Sequence, residues 1–190
     1  MEGAWIGVGL GNPGRRYEKT RHNAGARALT ILAKQLGTKL KRSKNSALVG
    51  EAKTDGERLI LARPLTFMNE SGPAVAQVLR WFRLKPNRMI VVYDEIDLSA
   101  SSLRIKRGGG TAGHNGLESV MKAVGTPDFY RVRIGVGRPP GRVDPADWVL
   151  QPMSRTEGRE LNEVEGRAAD AVLSIIHDGI ERAMNRFNTR

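Results

Sequence analysis

Apolar positions recur along the chain with two periods that alternate. Trp5-Ile-Gly-Val-Gly-Leu10 is a short unbroken apolar run stopped by Gly11-Asn-Pro-Gly14, which predicts a buried strand ending in a turn. From about Asn23 to Gln35, Ala28, Leu29, Leu32, Ala33 and Leu36 fall on one helical face, and Gly37 supplies a stop. Lys39 to Lys44 reads as a basic connector. Leu48 to Lys53 and Arg58 to Ala62 flank Asp55-Gly56, the pattern of a hairpin. A second helix is expected to start with Ser71 as its cap and reach Phe82, with Pro73 tolerated in the first turn. Met89 to Tyr93 is a β-branched run that delivers Asp94 to its carboxyl end. Leu103 to Arg107 reads as a shorter strand leading into a glycine-rich loop, Gly108 to Gly116. A helix from Leu117 to Val124, a strand from Tyr130 to Val136 and a loop around Pro139-Pro140 follow. The chain from about Thr156 to Phe187 is expected to be helical with a break near Asp178-Gly179.

Strands alternating with helices predict an α/β fold: a single domain over residues 1–190 whose twisted, mixed, mainly parallel sheet is flanked by helices, with the hairpin adding antiparallel character. The length of 190 residues fits one such domain. Ligands of parallel sheets gather beyond the carboxyl ends of the strands, and Asn12 and Asp94 each follow a predicted strand, so the two are expected to converge. The N-terminal apolar stretch is too short for the core of a signal peptide, and no apolar run approaches the roughly 20 residues of a membrane span. The expectation is a soluble, cytoplasmic protein without a membrane partner. The absence of cysteine excludes disulfides, thiolate metal sites and a cysteine nucleophile.

Charge narrows the partners. Thirty-one Lys and Arg against 20 Asp and Glu leave a net +11, an excess that attracts polyanions, with nucleic acid ahead of an anionic membrane surface. Arg104, Lys106 and Arg107 run into Gly108-Gly-Gly110, and Arg131, Arg133, Arg138 and Arg142 follow. Strand alternation places Arg104 and Lys106 on one face, and Arg131 and Arg133 likewise, as phosphate contacts or simply solvated charges. Tyr17 and Phe67 are aromatics within polar motifs, suited either to the core or to stacking on a splayed base.

The candidate chemistry excludes several classes. Gly9-Leu-Gly-Asn-Pro-Gly14 matches a dinucleotide-binding glycine pattern, but Pro13 stiffens the turn and no Asp or Glu lies between Glu18 and Glu51 to hold a ribose. No phosphate-loop lysine motif, no G-x-S-x-G elbow and no H-E-x-x-H pair is present, which argues against triphosphate hydrolysis, serine catalysis and zinc; the leading expectation is chemistry with no cofactor and no metal. Thr20-Arg-His-Asn23 places His22 just ahead of a helix, and Asp94 is a carboxylate that could fix its tautomer and keep it basic toward water. Asp94, Glu95 and Asp97 could instead hold magnesium. Asn12, Asn69 and Asn115 sit in glycine-flanked turns, where asparagine is at home; their amides could equally support a carbonyl or an oxyanion without adding charge.

Taken together, these segments resemble the bacterial-type peptidyl-tRNA hydrolase family. The pieces are Gly9-Leu-Gly-Asn-Pro-Gly14 with Tyr17, Thr20-Arg-His-Asn23 with Gly25, Pro64-Leu-Thr-Phe-Met-Asn-Glu-Ser-Gly72, Asp94-Glu-Ile-Asp-Leu98, Gly108 to Leu117, and Arg131-Val-Arg-Ile-Gly-Val-Gly137. They occur in family order from about Trp5 to Leu150, and the helical tail matches only in general character. The resemblance implies a monomer that cleaves the ester joining a peptide to the terminal ribose of tRNA, with peptidyl-tRNA rather than DNA as partner. By the same resemblance His22 is the general base, Asp94 the group that keeps it basic, and Asn12 the residue that separates blocked from free aminoacyl-tRNA. Tyr17, Phe67, Asn69 and Asn115 correspond to tRNA- or peptide-contacting positions, Met68 and His114 line the same groove, and Arg104, Lys106 and Arg133 fall where the family holds phosphate. Ser99-Ala-Ser101 and Thr111-Ala112 depart from the usual loop residues. A non-catalytic RNA-binding relative, as among splicing factors, and a magnesium-dependent nuclease are the competing readings.

Overall fold

The computed structural model describes residues 3–188, which form one seven-stranded sheet with helices on both faces. The strands are β1 (Trp5–Gly9), β2 (Lys41–Arg42), β3 (Ala47–Thr54), β4 (Glu57–Pro64), β5 (Met89–Glu95), β6 (Leu103–Arg107) and β7 (Tyr130–Gly135), in the order β2-β3-β4-β1-β5-β7-β6. The central strands β4, β1, β5 and β7 run parallel, while β3 joins β4, β2 joins β3 and β6 joins β7 through antiparallel pairings. The mixed sheet is thus parallel in its middle and antiparallel toward both edges.

Composition explains this arrangement. All seven residues of β5 are buried, as a central parallel strand covered on both faces requires. Ile90 and Val92 join the core beneath α1 (Ala24–Gln35), α5 (Arg155–Asp178) and α6 (Ile180–Phe187). Met89, Val91 and Tyr93 face the opposite core, under α2 (Ser71–Phe82) and α3 (Asn115–Val124). At the other extreme the two-residue β2 is exposed and basic, features that discourage edge-to-edge pairing.

Four local expectations need correction. The basic connector contains β2, paired as Lys41↔Val49 and Arg42↔Leu48. Ser71 does not cap α2: a 3-10 turn, Met68–Glu70, precedes the helix and the Ser71 hydroxyl donates to the Met68 carbonyl at 2.7 Å. Helix α3 begins at Asn115, ahead of Leu117, because the His114 ring accepts the Leu117 N–H as an N-cap. A further helix, α4 (Pro145–Leu150), follows the proline-rich loop, with Asp144 accepting the Ala146 N–H at 2.8 Å and Pro145 in its first turn.

The chain leaves β1 to reach β4 on one side and then crosses by α2 to β5 on the other, so β1 is where the direction of winding reverses. A crevice opens beyond the carboxyl ends of β1 and β5 at such a point. Helix α1 approaches these strands without side chains between: a Cβ on Gly25 would lie 2.1 Å from the Val92 carbonyl oxygen, and one on Gly9 would lie 2.5 Å from the Gly25 carbonyl oxygen. That close approach holds the turn preceding α1 over the end of β5. Among the described residues no helix is long and apolar enough to cross a membrane.

Candidate active site

The turn before α1 is a 3-10 helix, Arg21–Asn23, and its three side chains go three ways. Buried Asn23 stitches the turn to the loop after β1: its Oδ1 accepts the Asn12 N–H at 2.8 Å and its Nδ2 donates to the Asn12 carbonyl at 2.9 Å. Arg21 turns away, donating to the Trp148 carbonyl at 3.2 Å and to Glu157 at 2.9 Å, with its guanidinium 3.5 Å from the Trp148 ring. His22 is left facing the end of β5, where its Nδ1 lies 2.8 Å from Asp94 Oδ2.

Asp94 has a second partner. His114 Nε2 lies 2.8 Å from Asp94 Oδ1, so two imidazoles flank one carboxylate whose side chain is 1% exposed. The rings of His22 and His114 are 4.9 Å apart, and the Tyr93 ring meets His114 edge-on at 5.1 Å. Burial acts to raise the Asp94 pKa, but the two imidazoles outweigh it and hold the carboxyl well below the usual carboxylate range. Burial likewise acts to lower the His22 pKa, but the Asp94 charge and hydrogen bond outweigh it and hold the imidazole above its ordinary value. Burial pushes the Tyr93 hydroxyl up to about 12, against the opposing pull of Arg131 and Arg133.

Asn12 is oriented as firmly as His22. Its Oδ1 accepts the Met68 N–H at 2.7 Å, which leaves Nδ2 to donate into the cavity that Asn12 lines. This cavity measures about 610 Å³ and is lined at its floor by Asn12, His22, Asp94 and His114. Tyr17, Asn69 and Asn115 add polar groups to its wall, and Phe67, Met68 and Ile96 add apolar ones. Phe67 is 55% exposed although aromatic, as a stacking surface would be. Glu95 and the loop residues Ala112 and Gly113 also line it, and a further wall is α4 with the residue before it: Asp144, Pro145, Ala146, Val149 and Leu150. Neither Ile96 nor this wall figures among the residues expected from sequence, although Asp144-Pro145 is a helix-start signal.

The basic residues divide. Arg104 pairs with Arg133 across β6 and β7, and Lys106 lies beside them on the same face, so three of the expected phosphate ligands form a row. Arg133 stands opposite Tyr93 in β5, one residue from Asp94, which sets the row next to the cavity and outside its lining. Partial burial and the neighbouring Arg133 and Arg131 hold the Lys106 pKa below its usual value. The buried Arg133 Nε has no hydrogen-bond partner among the described residues, while Arg104 donates to the Asn188 carbonyl at 2.7 Å. Arg131 and Arg138 are corrections. Arg131 is fully buried and donates to the carbonyls of Gly109, Gly110 and Pro127, and exposed Arg138 pairs with Asp97. The first holds the glycine-rich loop in place and the second is neutralised.

His22, Asp94 and His114 bring ligand-type atoms within 4.8 Å of one another, yet those atoms are already joined by hydrogen bonds that a metal ion would have to break. The acidic loop does not gather as a magnesium site would. Asp97 is bound to Arg138, and Glu95 Oε1 accepts the Asp97 N–H at 3.1 Å.

The peptidyl-tRNA hydrolase family model matches residues 6–190. The peptidyl-tRNA hydrolase of Frankia alni is 49% identical over 187 residues, covering 98% of this chain and 95% of the relative. That of Cutibacterium acnes is 46% identical over 200 residues, covering all of both chains. The crystal structure of peptidyl-tRNA hydrolase from Acinetobacter baumannii superposes with a TM-score of 0.92 at 33% identity, covering 100% of this chain and 96% of that one. The chain belongs to the peptidyl-tRNA hydrolase family of enzymes.

Proposed function

We propose that this enzyme hydrolyses the ester between the peptide and the terminal ribose of peptidyl-tRNA, with His22 as general base and without a metal ion. The observation that carries the reading is the pair of half-buried His22 and buried Asp94, 2.8 Å apart, at the floor of a cavity shared with the fixed amide of Asn12. With Nδ1 engaged by Asp94, His22 offers Nε2 to a water molecule, takes its proton, and the resulting hydroxide attacks the ester carbonyl carbon. The carbonyl oxygen gains negative charge as the tetrahedral intermediate forms. Of Asn69 and Asn115, Asn115 is the better placed to support it, because it opens α3 beside His114, where the helix terminus carries partial positive charge. Collapse of the intermediate expels the ribose oxygen, which leaves with the proton held on His22.

The orientation of Asn12 also accounts for selection. A fixed N–H donor suits the carbonyl of an N-blocked amino group and opposes the ammonium of a free aminoacyl ester. Phe67 and Tyr17 offer faces to the terminal bases, and Arg104, Lys106 and Arg133 offer charge to the backbone phosphates. One chain supplies every group named, so we propose that it acts as a monomer.

The test is incubation of purified protein with N-acetyl-aminoacyl-tRNA, with and without EDTA. Release of intact tRNA at equal rates in both is expected, and His22→Ala should reduce turnover by about 10²–10⁴-fold while still binding substrate. EDTA-sensitive cutting of the RNA chain would identify a nuclease, and binding without turnover in the unaltered protein a non-catalytic relative. Near-normal turnover in His22→Ala would remove the general base.

A further inference from the structure

His114 is chemically more constrained than a residue lining a groove. Its Nδ1 lies 3.1 Å from the Leu117 backbone nitrogen, and a backbone N–H can only donate. Nδ1 therefore presents a lone pair, and the ring proton sits on Nε2, which donates to Asp94 Oδ1 at 2.8 Å. The first turn of α3 thus selects the tautomer of a ring that touches the carboxylate. Asp94 is in turn fixed from two sides, its Oδ1 by His114 and its Oδ2 by His22. The Tyr93 ring, edge-on at 5.1 Å, backs His114.

We propose that His114 is a positioning residue for this reaction: the N-terminus of α3 locks its tautomer so that it holds Asp94 in line with His22. The proposal rests on the reading of His22 as general base. It explains why a second histidine sits within reach of the same carboxylate without duplicating the first. A proton on His114 Nδ1 would point at the Leu117 N–H, so the proton that His22 takes from water is not passed across Asp94. The other titratable or charged groups around the pair are Tyr93 and Glu95 on β5, Tyr17 and Asp144 on the cavity wall, and Arg131 and Arg133 on β7.

His114→Asn separates the two bonds. Asparagine is among the best N-caps and retains an oxygen for the Leu117 N–H, but its side chain is too short to reach Asp94. The variant should still fold, with a melting temperature lowered by several degrees because one oxygen of the buried Asp94 loses its donor. It should keep KM within about twofold and lose about 10–100-fold in kcat, the worth of one hydrogen bond to a charged group. Without that donor the Asp94 charge is less neutralised, so the His22 imidazolium is better stabilised. The ascending limb of the pH profile should move to higher pH. A rise in KM with kcat and the pH limb unmoved would make His114 a substrate-binding group and overturn the proposal. Long-range ¹H–¹⁵N correlation of the imidazoles in the unaltered protein at pH 7.5 supplies a reading independent of any variant. A proton on His114 Nε2 is expected, and one on Nδ1 overturns the tautomer lock. If His22→Ala stays active, the general-base reading fails whatever the spectrum shows. If His22→Ala is inactive and His114→Asn behaves as the unaltered enzyme, this proposal alone fails.

Discussion

A carboxylate with a side chain 1% exposed remains charged only where hydrogen bonds replace the water it has lost, and Asp94 has one imidazole on each oxygen. The consequence for His22 has a definite sign. In its proposed role as general base His22 must be neutral, and Asp94 holds its pKa above the ordinary value, so activity should fall as pH drops through that raised value. Asp94→Asn removes the negative charge and favours neutral imidazole. The ascending limb of kcat/KM against pH should move to lower pH while the plateau falls by about 10²–10⁴-fold, because the amide can no longer hold the tautomer. A limb at its original position would count against the pairing. At this scale the motifs are informative where one residue does one job: His22, Asp94 and Asn12 do converge on the cavity floor. They place His114 in the groove, where it does line the cavity, without showing its bond to Asp94, and they mislead for Arg131; both environments come from other elements. The His114 ring is read by the N–H of Leu117, and Arg131 is swallowed by carbonyls of a loop about 20 residues earlier.

Elements are legible in proportion to their periodicity. Strands β1 and β5 and helices α1 and α2 announce themselves by unbroken or 3.6-spaced apolar positions, whereas β2 and α4 are too short to show a period. Helix α4 is readable only from its cap, Asp144-Pro145, and the capping box of α5, in which Ser154 and Glu157 bond each other's backbone N–H, marks that helix start in the same way. How closely elements pack is a tertiary property that a glycine hints at without locating. Gly25 is the clearest case, since its α-carbon faces the Val92 carbonyl just before Asp94. Gly25→Ala has no room for its methyl group, and the offending atom is backbone rather than a flexible side-chain end. Helix α1 must lift from β5, which should cost about 1–3 kcal/mol in urea unfolding and lower kcat by parting His22 from Asp94. A variant as stable and as active as the parent would show that the packing of α1 on β5 does not set the pair.

At the scale of the whole molecule, the net +11 does not by itself locate a binding surface. Arg138 and Arg107 are matched by Asp97 and Asp128, and Arg131 is buried. The row on β6 and β7 is different, because Lys106 and Arg133 repel one another beside Arg104 and a phosphate there would relieve repulsion as well as form new bonds. This separates steering from chemistry: the row lies outside the cavity lining, so its removal should alter capture and leave the ester step alone. The measurement is the affinity for N-acetyl-aminoacyl-tRNA as a function of salt, made with His22→Ala so that the ester survives. Adding Lys106→Ala and Arg133→Ala should weaken binding most at low salt. The slope of log K against log[salt] should become shallower by about 0.7–0.9 for each phosphate that is no longer neutralised. With His22 intact, the same two substitutions should raise KM and spare kcat at saturation. An unchanged salt slope would mean that this row does not hold phosphate and that the RNA backbone is held on some other face.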